Sequence, residues 1–153
     1  MRSAEGAELE AIRAWFRRLA EHVEAKDFAG ARSLFAPETV AFGTFSDFLA
    51  GRDAVEREQW RKVWPYIEGF HWRAGEIRGM VSSDGLSALG MGCFESTGYD
   101  RRGVPYHRPG RATVALTRQS ASAPWVACHT HMSLFRGVPQ ESFGARMDRG
   151  AER

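Results

Sequence analysis

Apolar residues at Leu9, Ile12, Phe16, Leu19 and Val23 recur at steps of three and four, which draws one stripe along a helix with Arg17, Arg18, Glu21 and Glu24 off it. Asp27 is placed to cap a second, short helix carrying Phe28, Ala31, Leu34 and Phe35, and Pro37 forbids its continuation. These two elements predict a helical hairpin. A short strand over residues 38–44 leads to Gly51-Arg-Asp53, where Asp53 and Glu56 have the spacing of a capping box. The third helix should end near Trp64, because Pro65 disfavours helical geometry in its predecessor.

From residue 69 onward the periodicity changes to that of strands, over 69–81, 86–97, 108–118 and 125–135. Ser83-Asp84-Gly85 supplies a turn, and the charged or small polar connections at 98–105 and 119–124 predict that consecutive strands pair antiparallel. Helices first and a meander afterwards predict an α+β fold, with three helices in the N-terminal half packed on one face of a strongly curved antiparallel sheet. In the last strand, unbroken alternation puts Trp125, Ala127, His129, His131 and Ser133 on one face and Val126, Cys128, Thr130, Met132 and Leu134 on the other. Pairing Arg118 with Trp125 across the last hairpin then sets Val114 opposite His129, Ala112 opposite His131, Arg111 opposite Met132 and Thr113 opposite Thr130.

With 153 residues and 43% of them apolar, the chain suits a single domain spanning residues 1–153, its ordered core at about 9–135 and its ends frayed. A formal charge of +2, from 21 basic and 19 acidic residues, is too balanced to imply nucleic acid or an anionic membrane surface as partner. The longest stretch without Asp, Glu, Lys or Arg lies between Arg118 and Arg136 and contains Pro124 and two histidines, so no membrane span is expected. Cys93 and Cys128 fall in strands and read as reduced packing residues; with no signal-peptide pattern, the expected location is cytoplasmic. No phosphate-binding glycine loop, Ser-His-Asp order or paired cysteine set is recognisable, so no cofactor is expected.

The order of elements, Asp27-Phe-Ala-Gly-Ala-Arg-Ser-Leu-Phe35, Gly51-Arg-Asp-Ala-Val55 and the closing Trp125-x-x-x-His129-x-His131-x-Ser133 resemble the nuclear-transport-factor-two-like superfamily, and most closely its SnoaL-like branch. The resemblance implies a cone, in which a bent sheet wraps the long first helix around an open-ended pocket and the outer sheet face serves dimerisation in many relatives. That superfamily includes ketosteroid isomerases, polyketide cyclases, epoxide hydrolases and non-catalytic association domains such as that of calmodulin-dependent kinase, so the fold alone does not fix function. The isomerase base corresponds to Phe42-Gly43-Thr44, with Asp47 the nearest carboxylate, and the isomerase Tyr and protonated Asp correspond to Leu19 and Thr113. The pocket arginines of the kinase domain correspond to Phe94, Thr113 and Met132. Neither set of groups is present.

The comparison with the kinase domain turns Thr130 and Met132 into the cone, and the register above then makes Arg111 and Thr113 its polar lining, with Thr130 opposite. Phe42, Thr44, Trp60, Trp64 and Phe94 are the remaining expected substrate contacts, though aromatic residues at helical spacing are more often plain core. Asp47 and Glu95 are the weak catalytic candidates. Glu95 interrupts an apolar face of Leu89, Met91 and Cys93, where burial would raise its pKa, but an ion pair with an arginine or histidine at an interface is the favoured reading. His129 and His131 have only Glu95 as an evident third ligand, so no metal is expected. They are instead expected on the outer sheet face with Ala112, Val114 and Leu116, buried in a homodimer. The functional expectation is a pocket for an apolar carbonyl or carboxylate compound, with isomerisation, cyclisation or hydration by acid–base chemistry if the protein is an enzyme. The alternative is a non-catalytic dimeric binding or association module.

Overall fold

The computed structural model describes residues 1–44 and 46–146. The chain opens with β1 (Arg2–Ser3) and α1 (Gly6–Ala25), followed by α2 (Phe28–Ala31) running into a 3-10 turn at Arg32–Leu34. Next come β2 (Phe35–Phe42), β3 (Phe48–Ala50) and α3 over residues 52–63, which contains a π-helical turn at Glu56–Trp60 and ends in a 3-10 turn at Trp64–Tyr66. The remaining strands are β4 (Glu68–Trp72), β5 (Arg78–Val81), β6 (Ser87–Tyr99), β7 (Pro105–His107), β8 (Gly110–Thr117) and β9 (Val126–Leu134). They form one curved, unclosed sheet in the order β1-β5-β6-β8-β9-β2-β3, with β4 and β7 also paired to β6. This is the α+β arrangement expected, with one parallel pairing, β2 to β9, among antiparallel ones.

Local chemistry accounts for most element boundaries. Asp27 Oδ1 accepts from the Gly30 amide at 2.9 Å and caps α2. The capping box expected at Asp53 and Glu56 is absent: Gly51 is the N-cap, and both carboxylates are drawn to Arg32, at 2.6 and 2.5 Å. The strand expected over 69–81 is two strands separated by a 3-10 turn at Ala74–Glu76, because β6 is long enough to pair with β5 through Ala88–Met91 and with β4 through Phe94–Thr97. The ends are also more ordered than their weak periodicity implies. Arg2 and Ser3 pair with Val81 and Met80, and residues 137–146 are bonded to β6 and to Tyr66. Residues 147–153 of the expected frayed tail lie outside the described residues.

The apolar stripe of α1, with Trp15 added to Ile12, Phe16, Leu19 and Val23, is buried against the concave side of the sheet. Trp15 Nε1 donates to the Leu34 carbonyl at 3.1 Å, which satisfies a buried donor and ties α1 to the second helical turn. Phe16 lies so close to β6 that a Cβ on Gly90 would come within 2.5 Å of its ring. A glycine there lets the ring pack directly on the backbone.

The register between β8 and β9 overturns several expected positions. Thr117 pairs with Val126 and Leu116 with Ala127, as alternation requires, but Ala115 pairs with His129, leaving Cys128 as an extra residue in a bulge. Beyond it every pairing is displaced by one: Val114 faces Thr130, Thr113 faces His131, Ala112 faces Met132 and Arg111 faces Ser133. Ala112, Val114 and Leu116 therefore point into the cone, with 4%, 0% and 1% exposure, instead of lining an outer face. Arg111 and Thr113 point outward and are exposed, on the same side as His129 and His131. The bulge allows both Ala127 and Thr130 to face inward while both histidines face outward.

Replacing Gly90 with Ala should lower stability by about 1–3 kcal/mol through the overpacking of Phe16. Urea unfolding of G90A and of G90A combined with Phe16→Leu checks this: the second change should restore part of the loss, whereas a G90A midpoint equal to wild type would contradict the close packing.

Candidate functional site

Between the second half of α1, the end of α3 and the sheet, a cavity of about 40 Å³ remains inside the cone. Leu19 and Val23 of α1, Trp60, Val63 and Trp64 of α3, Phe70 and Phe94 of the sheet, and Met132 make it predominantly apolar. Trp60 and Trp64 stack with ring centres 5.0 Å apart, and Phe28 stacks on the far side of Trp64 at 5.4 Å. Thr44, Gln59, Arg108 and Thr130 supply the polar lining. A space of this size holds about one water molecule, far below the roughly 300–1,000 Å³ of ordinary ligand sites.

Arg108 dominates the electrostatics of this site. It precedes Pro109, which lacks the N–H needed to continue a ladder, so the strand expected over 108–118 begins instead at Gly110. Its backbone is held by a reciprocal pair: the Arg108 amide donates to the Ser96 carbonyl at 2.8 Å, and Ser96 Oγ donates to the Arg108 carbonyl at 2.7 Å. Gly98 clears the path of its side chain, since a Cβ there would lie 2.9 Å from Arg108 Cδ. The guanidinium, in a residue only 2% exposed, donates to the Gln140 carbonyl at 2.9 Å and makes a long 3.5 Å contact with Thr44 Oγ1. Both partners are uncharged, and Nε has no partner at all. Burial pulls the Arg108 pKa below its usual value, with Tyr106 acting in the opposite direction, although an arginine remains cationic at neutral pH. An arginine buried without a carboxylate is costly by itself and is suited to receive an anionic group.

Gln59 is the second polar group of note. It is 7% exposed, sits in the π-helical turn of α3 and leaves Oε1 buried without a donor. Arg108 Nε thus seeks an acceptor and Gln59 Oε1 a donor, on the walls of one apolar cavity. Neither residue stands out by sequence pattern. The usable signal is Arg108-Pro109, where strand alternation must stop and a basic side chain is released from the ladder.

Of the residues expected to contact a ligand, Thr44, Trp60, Trp64, Phe94 and Thr130 line the cavity. Phe42 does not: its ring packs on Phe48 at 4.6 Å and against His129 and His131 on the outer side. Arg111 lies over Phe135 at 5.1 Å, also outside, and Thr113 is exposed beside it. Asp47 is exposed in the connection between β2 and β3. Glu95 belongs to the outer face of β6, where Arg73 donates to it at 2.7 Å and His107 Nε2 donates to its other oxygen. These partners hold its carboxyl below the ordinary range, His107 first and Arg73 second, opposite to the raised pKa that a buried general acid requires. Among the described residues lining the cavity, Arg108 is the one ionisable side chain. No three His, Cys, Asp or Glu side chains among the described residues converge as metal ligands would, and both cysteines are free.

The chain belongs to the SnoaL-like domain family, whose model matches residues 12–137. Its fold is that of a ketosteroid isomerase-like protein from Erwinia carotovora atroseptica, with a TM-score of 0.68 and 16% identity over 86% of this chain and 98% of that one. A protein with a cystatin-like fold from Caulobacter vibrioides superposes with a TM-score of 0.69 and 14% identity, over 86% and 92% of the two chains. A nuclear transport factor 2-like superfamily protein from Salmonella enterica serovar Typhimurium gives 0.65 and 15% identity, over 95% and 97%. At these identities the likeness is one of fold. No curated protein matches the chain in sequence. Among the described residues, no helix is long and apolar enough to cross a membrane.

The depressed Glu95 pKa predicts an acid-sensitive contribution to stability. A carboxyl whose folded pKa lies below its unfolded value stabilises the fold above the unfolded value and loses that contribution as pH falls through the folded one. Glu95→Gln should therefore be less stable than wild type at neutral pH and converge with it in strong acid. Parallel stability curves for the two proteins across that range would show that the His107–Glu95–Arg73 cluster contributes nothing.

Proposed function

We propose that this protein binds a small, largely apolar molecule carrying an anionic or carbonyl group inside the cone, with Arg108 as its anchor. The observation that carries the reading is the buried guanidinium with no carboxylate and an unpaired Nε. An anionic oxygen on such a donor forms a charge-assisted bond where solvent is excluded, while Trp60, Trp64, Phe94 and Met132 take the apolar body, for which the cavity of about 40 Å³ widens on binding. Thr44 and Thr130 offer neutral hydroxyls, and Gln59 Oε1 favours ligands that also bear a hydroxyl or N–H donor. Binding is favoured over acid–base catalysis, since the described lining holds an arginine, which does not titrate usefully, and no carboxylate or imidazole. The expected place of Arg111 in ligand recognition passes to Arg108.

A thermal-shift screen of apolar carboxylates, each beside its neutral alcohol isostere, tests this, because binding to the folded state alone raises the midpoint. Carboxylates should be preferred, and Arg108→Met should weaken them by about 10- to 100-fold, the worth of one or two charged hydrogen bonds. Without ligand, the same substitution should leave stability near the wild-type value, because it removes a buried charge that has no counter-ion. Equal shifts for acid and alcohol, or for wild type and variant, would contradict the reading. Incubating the hit with the protein and analysing it for conversion separates binding from turnover.

The dimeric assembly implied by the resemblance would use the outer sheet face as corrected by the bulge: Leu89, Met91, Cys93, Ala115, Thr113, His129 and His131, continued by Phe42 and by Phe48, which is 72% exposed. Ala112, Val114 and Leu116 take no part in it. Sedimentation at micromolar concentration should give a dimer that Met91→Lys dissociates, since the variant places a charge at the centre of that apolar face. A wild-type monomer would dismiss this assembly.

A further inference from the structure

The segment following β9 is attached in an unusual way. It turns at Gly137, and from there Tyr106 Oη donates to the Glu141 carbonyl at 2.9 Å, while Arg108 holds the Gln140 carbonyl at 2.9 Å. Ser142 Oγ donates to the Tyr66 carbonyl at 2.5 Å and accepts from the Tyr99 amide at 2.8 Å, and the Phe143 amide donates to the Tyr99 carbonyl at 2.9 Å. The segment is thus fastened at the end of α3, at the end of β6 and at Arg108. Yet Pro139, Gln140, Glu141 and Phe143 are exposed, and Ser142 is its one buried residue. A terminal segment serving the core would bury apolar side chains; this one is held by polar bonds to main-chain atoms, the kind of attachment that opens locally at low cost.

Its position is as telling as its attachment. Gln140–Phe143, Lys62 and Tyr66 line an outer groove of about 550 Å³, while Val63, Trp64, Ile67 and Arg108 line the inner cavity of about 40 Å³. The segment lines the outer groove and reaches the inner site through Arg108, where its Gln140 carbonyl holds Nη2 beside the unpaired Nε, so a carboxylate bridging both nitrogens must displace it.

We infer that residues 137–146 are a displaceable strap, whose Gln140 carbonyl takes the place of a ligand's anionic oxygen on Arg108 and whose release joins the outer groove to the inner cavity. This rests on the Arg108 pocket proposed above and adds its regulation. A neutral carbonyl makes a single bond to Arg108, whereas a carboxylate makes charge-assisted and bidentate ones, so an acidic ligand displaces the strap and a neutral isostere does not. The free protein is closed, and its apparent affinity is reduced by the fraction of time the strap spends open.

The test uses the full chain with 2-naphthoate and 2-naphthylmethanol as probes, calorimetry for affinity and amide hydrogen exchange for the strap. Ser142→Ala removes two of the fastening bonds and lies outside the cavity lining. It should tighten 2-naphthoate binding about tenfold, the effect of losing one or two hydrogen bonds that hold the closed state. Saturating 2-naphthoate should speed exchange of the Phe143 amide about tenfold in wild type while leaving β8 and β9 amides unchanged. If binding depends on Arg108 but S142A binds no tighter and the Phe143 amide is unmoved or slowed, the strap is an ordinary structural terminus and the inference is overturned while the pocket stands. If neither wild type nor S142A prefers 2-naphthoate over the alcohol, the Arg108 pocket fails, and the strap with it.

Discussion

The contact of Phe16 with the bare backbone at Gly90 sets the geometry on which the rest of the molecule depends. A helix normally stands about 10 Å from a sheet with a layer of side chains between. Here the sheet gives way to the helix, so the strands must curve around α1 and the aromatic stripe is covered from both sides. Burial of such side chains contributes roughly 1.5–3 kcal/mol each, which is ample to stabilise the curvature. Beyond that contact the packing is incomplete: Leu19 and Val23 of α1, Trp60 and Trp64 of α3, and Phe70 and Phe94 of the sheet leave the cavity between them.

What the sequence makes legible follows the strength of its periodic signals. The stripe of α1, the Asp27 cap, the change from helical to strand periodicity and the SnoaL-like resemblance are all carried by several residues acting together. Single-residue irregularities are not. The bulge at Cys128 leaves no mark in the alternation of Trp125–Phe135, and it exchanges the faces of Arg111 and Thr113 with those of Ala112, Val114 and Leu116. His129 and His131 keep their outward position because that assignment rested on the resemblance, which is insensitive to register. The capping box expected in α3 likewise failed as a local pattern, since Asp53 and Glu56 found Arg32, whereas the ion pair expected of Glu95 is present, with Arg73 and His107. Long-range charge pairing overrides spacing rules that consider only neighbours.

Arg108 presents the opposite case, a charge whose remote partners are all neutral. A guanidinium on the surface is solvated or paired at little cost, but one inside an apolar cone must recover its hydration energy from fixed acceptors. Two carbonyl or hydroxyl contacts recover part of it, and Nε recovers none. A fold under selection for stability alone would replace such a residue with a hydrophobe, as buried ion pairs can be replaced without loss. That Ser96 and Gly98 are arranged to hold its backbone and admit its side chain argues that the charge is kept for what it can meet.

The chemistry open to the site follows from what surrounds that charge. A cation inside an apolar cavity stabilises an anion, whether a ligand's carboxylate or an oxyanion developing on a carbonyl, so Arg108 is compatible with either binding or catalysis in principle. Proton transfer is the discriminating requirement: isomerisation, cyclisation and hydration each need a group that gives or takes a proton within about 3 Å of the reacting atom. Asp47 and Glu95, the carboxylates that offered this function, are in the β2–β3 connection and on the outer face, and Glu95 is committed to His107 and Arg73. Gln59 and the two threonines lining the cavity orient and select without titrating. An anchor with neutral orienting groups is equipment for recognition, and that is the feature of the described lining on which the proposed binding role rests.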